Sequence, residues 1–83
     1  LPMYFNPNMG YERDGNRVVL KADCRVSHMS GDKVLFRALE MLEQHPAFKQ
    51  ICAEQGLGDF AATGLRQKFR NLYRRGYIRY EIE

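Results

Sequence analysis

The sequence predicts an α+β domain built from an N-terminal β-hairpin, three helices and a C-terminal strand that pairs back onto the hairpin. Three observations carry this. Asp14-Gly15 is a two-residue turn signal between runs that favour strands. Residues 32–75 carry three apolar stripes at helical spacing. The last residues, Tyr77 to Glu83, alternate with a period of two.

Along the chain, residues 1–10 hold Pro2, Pro7, Gly10 and two Asn, which is loop chemistry with room for a short edge strand at Tyr4 and Phe5. Residues 11–83 form the expected single domain. Asp14 and Gly15 tolerate the positive φ that both central positions of a type I′ turn require. Tyr11 to Arg13 and Asn16 to Leu20 flank that turn as strands, Val18, Val19 and Leu20 favouring a pleated surface. A further short strand is expected within Ala22 to His28.

The first helix is expected from Asp32, an N-cap residue, through Gln44, with Leu35, Ala38, Leu39 and Leu42 on one apolar face. His45-Pro46 breaks it and opens a second helix over 47–55, with Phe48, Ile51 and Cys52 inward and Gly56 as its stop. The third helix begins at a cap supplied by Asp59 or Thr63. It buries Leu65, Phe69 and Leu72 and stops at Gly76. With Ile78, these apolar residues make the expected core.

Eighty-three residues make one domain, with 45% hydrophobic and 28% charged residues, proportions of a globular rather than a disordered chain. A chain this short buries only about 60% of its unfolded surface. No apolar run approaches the roughly 20 residues of a membrane span, so no membrane partner is expected. The start has no signal-peptide pattern. It begins with Leu1, and the chain is taken as a piece of a longer protein. Cys24 and Cys52 could form one disulfide at most. They read as reduced, buried thiols of a cytoplasmic protein.

Charge is unevenly spread. Residues 1–60 hold seven Lys/Arg against eight Asp/Glu, whereas residues 61–83 hold six against two. A basic excess gathered in one quarter of a chain is an electrostatic footprint for an anionic partner.

The stretch LRQKFRNLYRRGYIRYEIE resembles the end of a winged helix-turn-helix domain. In that superfamily the third helix closes on L-x-x-L-x-x-x-G-x-I and enters the wing. The matching positions are Phe69, Leu72, Gly76, Tyr77 and Ile78. The resemblance covers about residues 32–83. A full wing has a second strand after the one containing Ile82, so the N-terminal hairpin is expected to supply the missing sheet partner. The resemblance implies a DNA-binding module that uses its third helix. It equally implies, as the alternative, a protein- or peptide-binding accessory domain. Such domains guide modifying enzymes to leader peptides or are appended to methyltransferases and oxygenases.

The residues themselves fit the first implication. Arg66, Arg70 and Arg74 recur every four positions and form a stripe, with Gln67 and Asn71 beside it and Thr63 one turn earlier. Arg pairs with guanine, and Gln or Asn with adenine, in a major groove. Lys68, Arg75 and Arg79 are candidates for phosphates, which supply most of the affinity. Against this stands a merely solvated basic face, or one that meets acids of a partner peptide or domain. Arg75 also sits where a helix C-terminus favours a cation regardless of function. Tyr73, Tyr77 and Tyr80 are interleaved with the arginines, as base-stacking platforms or, more commonly, as core walls.

Cys24, His28, His45 and Cys52 follow no compact zinc spacing, and neither a metal nor another cofactor is expected. There is no G-x-S-x-G, glycine-rich phosphate loop or H-E-x-x-H. Glu40 and Glu43 read as a solvated helix edge. A self-contained enzyme is not expected.

Overall fold

The computed structural model describes residues 2–6, 9–22 and 25–80. Strand β1 spans Met3–Phe5, β2 Gly10–Asp14, β3 Arg17–Ala22 and β4 Arg25–Ser30. Helix α1 spans Lys33–Met41 and runs into a 3-10 turn, Leu42–Gln44. Helices α2, Phe48–Gln55, and α3, Asp59–Arg74, follow, and β5, Ile78–Tyr80, closes the order. The described residues are therefore α+β, with three helices and two antiparallel sheets among them.

The strands β2-β3-β4 form one antiparallel meander. Alternation along β3 turns Val18 and Leu20 fully inward. The connecting turn is Gly15-Asn16 rather than Asp14-Gly15, because Asp14 pairs with Arg17. Gly15 has φ +61° and Asn16 has no positive φ, the sign pattern of a type II′ turn. That turn needs glycine only at its first central position and spares Asp14 a left-handed backbone.

The second sheet corrects a larger expectation. Among the described residues β5 pairs with β1, Phe5 opposite Ile78 and Met3 opposite Tyr80, and not with the hairpin. On its other side β1 meets the α1–α2 connection: Pro2 bridges to Ala47 and the Met3 N–H donates to the Pro46 carbonyl at 2.8 Å. The segment around Tyr4 and Phe5 thus forms the short strand expected there, with Met3 fully buried. Asn6, itself buried, donates from Nδ2 to the Gly76 carbonyl (3.1 Å), and its own N–H meets the Tyr77 carbonyl (2.8 Å). Residues 81–83, expected to extend the C-terminal strand, lie outside the described residues, as does Cys24.

Helix boundaries follow local chemistry. Asp32 caps α1 through a Leu35 N–H to Oδ1 bond of 2.9 Å. The first helix ends at Met41 and tightens before His45, which has φ +51°. Ala47 cannot cap α2 with its side chain, but its N–H donates to Gln50 Oε1 at 2.7 Å, half of a capping box. The N-cap of α3 is Gly58, not Asp59 or Thr63. Asp59 instead contributes a favourable negative charge to the first turn, and Thr63 Oγ1 donates back to the Asp59 carbonyl (2.8 Å). Gly76, at φ +82°, makes the left-handed exit from α3 that lets Tyr77 and Ile78 fold back into the core.

The core gathers Leu35, Leu39, Leu42, Ile51, Leu65, Phe69, Leu72 and Ile78, with Met3, Val18, Leu20, Phe36, Ala38 and Tyr77. Phe48 and Cys52, expected inward, are only half-buried, because α2 leaves that face open beside α3. No helix among the described residues is long and apolar enough to cross a membrane.

A basic and aromatic face along the third helix

Leu65, Phe69 and Leu72 pin one side of α3 to the core, so the opposite arc faces solvent. Thr63, Arg66, Gln67, Arg70, Asn71 and Arg74 are all exposed on it. At 1.5 Å per residue the sixteen-residue helix is about 24 Å long. Arg75 follows as C-cap, and Arg79 is exposed on β5. None of Arg66, Arg70, Arg74, Arg75 and Arg79 makes an ion pair among the described residues.

The candidates divide by flank. Lys68 points to the α1 side, where its Nζ lies 3.7 Å from Asp32 Oδ2, so its charge is partly answered there. Arg66 leans the other way, its guanidinium 4.8 Å from the centre of the Phe48 ring. On that side Arg66, Arg70, Tyr73, Phe48 and Tyr80 line a groove of about 500 Å³. A second depression, which shares Tyr73, Arg74 and Tyr80 with the first, continues to Arg79, Ile78 and Tyr4. The arginine stripe and Arg79 therefore border one continuous track. Arg75 is set apart from it: its carbonyl accepts a bond from Arg25 Nη2 at 3.1 Å, which ties β4 to the end of α3.

The three tyrosines separate. Tyr77 is fully buried and its hydroxyl has no hydrogen-bond partner among the described residues. Tyr73 is 52% exposed and rests against the half-buried Tyr80, their centroids 5.1 Å apart. Phe48 meets Phe69 edge-on at 5.8 Å. Sequence spacing could not locate Phe48, Tyr80 or Tyr4 on this track, since each comes from a different element. Helical periodicity does place Tyr73 beside Arg66.

Burial pushes the Cys52 thiol up from its ordinary value, opposed in part by the charge of Arg66. His28 is exposed on β4, and His45 stacks on Tyr4 at 5.2 Å. Among the described residues no three His, Cys, Asp or Glu side chains gather as a metal would require. Burial raises the Tyr11 phenol from its ordinary value, and Glu40 and Glu43 raise it further. No protein-family model matches the chain, and no match is found among curated proteins.

Proposed function

We propose that this domain is a winged-helix-like module that binds nucleic acid through α3, with DNA as the first ligand to test. The observation that carries the proposal is the row of exposed arginines, Arg66, Arg70, Arg74 and Arg79, which have no acidic partner among the described residues. Exposed cations held on a rigid helix suit a phosphodiester backbone, whose neutralisation releases counterions and drives binding. Thr63, Gln67 and Asn71 stand beside them, within the same exposed arc, as candidates for base edges. Lys68 is a weaker candidate because of Asp32.

The topology supports the winged-helix part of the proposal. The α1–α2 connection, β1 and β5 lie side by side, through the Pro2–Ala47 bridge and the β1–β5 pairing. Under this reading β1, from the N-terminus, serves as the second wing strand beside β5.

The test is a low-salt anisotropy titration of the 83-residue chain with labelled random-sequence DNA, duplex and single-stranded. Binding by the unaltered chain is expected to weaken at least about tenfold in Arg70→Ala/Arg74→Ala and to be unchanged in Arg17→Ala, a control on β3 away from the stripe. Absence of binding to either DNA at low salt rejects the proposal.

A second role retains one specific observation in its favour. Strand β4 pairs with β3 alone among the described strands, which leaves an edge that an extended peptide could join. Under that role the double arginine variant impairs peptide capture and leaves no DNA binding to lose.

A further inference from the structure

We propose that the track beside α3 receives unpaired bases, so that the preferred ligand is a single-stranded nucleic acid. Its backbone follows the arginines and its bases turn in against Tyr73. The proposal rests on α3 being a nucleic-acid surface and names the form of nucleic acid that the surface takes.

The rings decide it. A tyrosine that serves only to wall the core is covered, as Tyr77 is. Tyr73 is half exposed although it projects from a well-packed helix, and contact with Tyr80 holds its ring without masking it. Phe48 is a wall rather than a platform, because the Arg66 guanidinium already lies over its face. Cations at the rim and an aromatic surface within are what a strand with free base faces can use. The phosphates meet Arg66, Arg70, Arg74 and Arg79, and a base stacks on Tyr73. The groove, about 500 Å³, is within the size range of sites that enclose small planar ligands. A blunt duplex keeps its base faces stacked inside, so it can reach the outward arginines but offers no free base face to the exposed Tyr73 ring.

The test uses the complete 83-residue chain at low salt, with labelled oligothymidylate and oligouridylate of about 15 nucleotides. A thymidylate of equal length whose bases are replaced by abasic residues and a blunt mixed-sequence duplex complete the set. The abasic strand, which keeps every phosphate, is expected to bind about 5- to 100-fold more weakly than the intact one, and the duplex more weakly as well. Tyr73→Leu is expected to lose affinity over that same range for the intact strand and none for the abasic strand, while Tyr73→Phe keeps both. Preference between the thymidylate and the uridylate assigns the ligand as DNA or RNA, and either supports the proposal. Equal binding of abasic and intact strands by the unaltered chain overturns it, without recourse to any variant. So does a duplex that binds at least as tightly as the single strand, and in both cases the arginine-backbone proposal stands. If no oligonucleotide binds, both proposals fall together.

Discussion

At the scale of single residues, Gly31 and Tyr77 are under constraints that composition does not reveal. A Cβ built on Gly31 would lie 2.7 Å from the end of the Phe36 ring and 3.2 Å from a methyl of Val18. Phe36 is buried, and the Arg13 guanidinium sits 4.1 Å from its ring centre, so the ring is held on both sides. Gly31→Ala is therefore expected to destabilise by about 1–3 kcal/mol through overpacking, measured as a lower urea midpoint at unchanged slope. Tyr77 presents the opposite case. Its buried hydroxyl is unpaired among the described residues, so Tyr77→Phe removes a desolvation cost and keeps the packing. Its stability should equal or exceed that of the parent by up to about 1 kcal/mol. A clear loss would mean that the hydroxyl is satisfied after all.

Tyr11 supplies a pH dependence. Burial, then Glu40 and Glu43, raise its phenol above the ordinary value, so the fold favours the neutral form. That contribution is fully present below about pH 10 and is lost as pH rises through the higher folded value. Alkaline destabilisation between about pH 9 and 11 should be smaller in Tyr11→Phe than in the parent, as read by urea midpoints across that window.

Among elements, the helices and the β2–β3 hairpin were legible and the partner of β5 was not. Apolar residues at i, i+3, i+4 and i+7 mark an inward face wherever the partner lies, so Leu35, Leu39, Leu42, Leu65, Phe69 and Leu72 could be assigned from spacing. Pairing of β5 depends on which strand closes against it from far along the chain. Pro2 and Pro7 flank Met3–Phe5 in sequence, so a short strand at Tyr4 and Phe5 could be expected but not its pairing with β5. Asn6 shows how that strand is held, since its side chain reaches the carbonyl of Gly76 at the α3 exit. Asn6→Ala leaves that part-buried carbonyl without this donor and should cost about 1–3 kcal/mol. Hydrogen exchange should show the loss locally as faster exchange at Tyr77, whose N–H bonds the Leu72 carbonyl at 2.9 Å. Unchanged exchange and stability would remove Asn6 as the tie between β1 and α3.

The candidate site was legible to a similar degree. The four-residue repeat of Arg66, Arg70 and Arg74 sets one exposed stripe, because helix geometry alone fixes their angles. What the spacing cannot supply is the neighbour on each flank. Asp32 answers Lys68 on one side, and Phe48, Tyr80 and Tyr4 build the track on the other.

For the whole molecule, shape and the distribution of charge along the chain set the terms of an encounter. The Cα trace measures 36 × 34 × 19 Å along its principal axes, a flat body about two structural layers thick. Basic excess collects on α3 and β5, while Glu40 and Glu43 stand near Tyr11 and raise its phenol. A basic excess gathered on α3 and β5 favours the approach of a polyanion before contact, and salt screens the attraction.

The most direct measurement of the central claim is the salt dependence of single-stranded DNA affinity between roughly 50 and 200 mM. Four phosphate contacts, from Arg66, Arg70, Arg74 and Arg79, predict a slope of log Kobs against log salt near −3 at about −0.7 per contact. Arg79→Ala should make the slope shallower by about 0.7. A slope near zero, or one that Arg70→Ala and Arg79→Ala leave unmoved, would contradict the assignment of the third helix as a nucleic-acid surface.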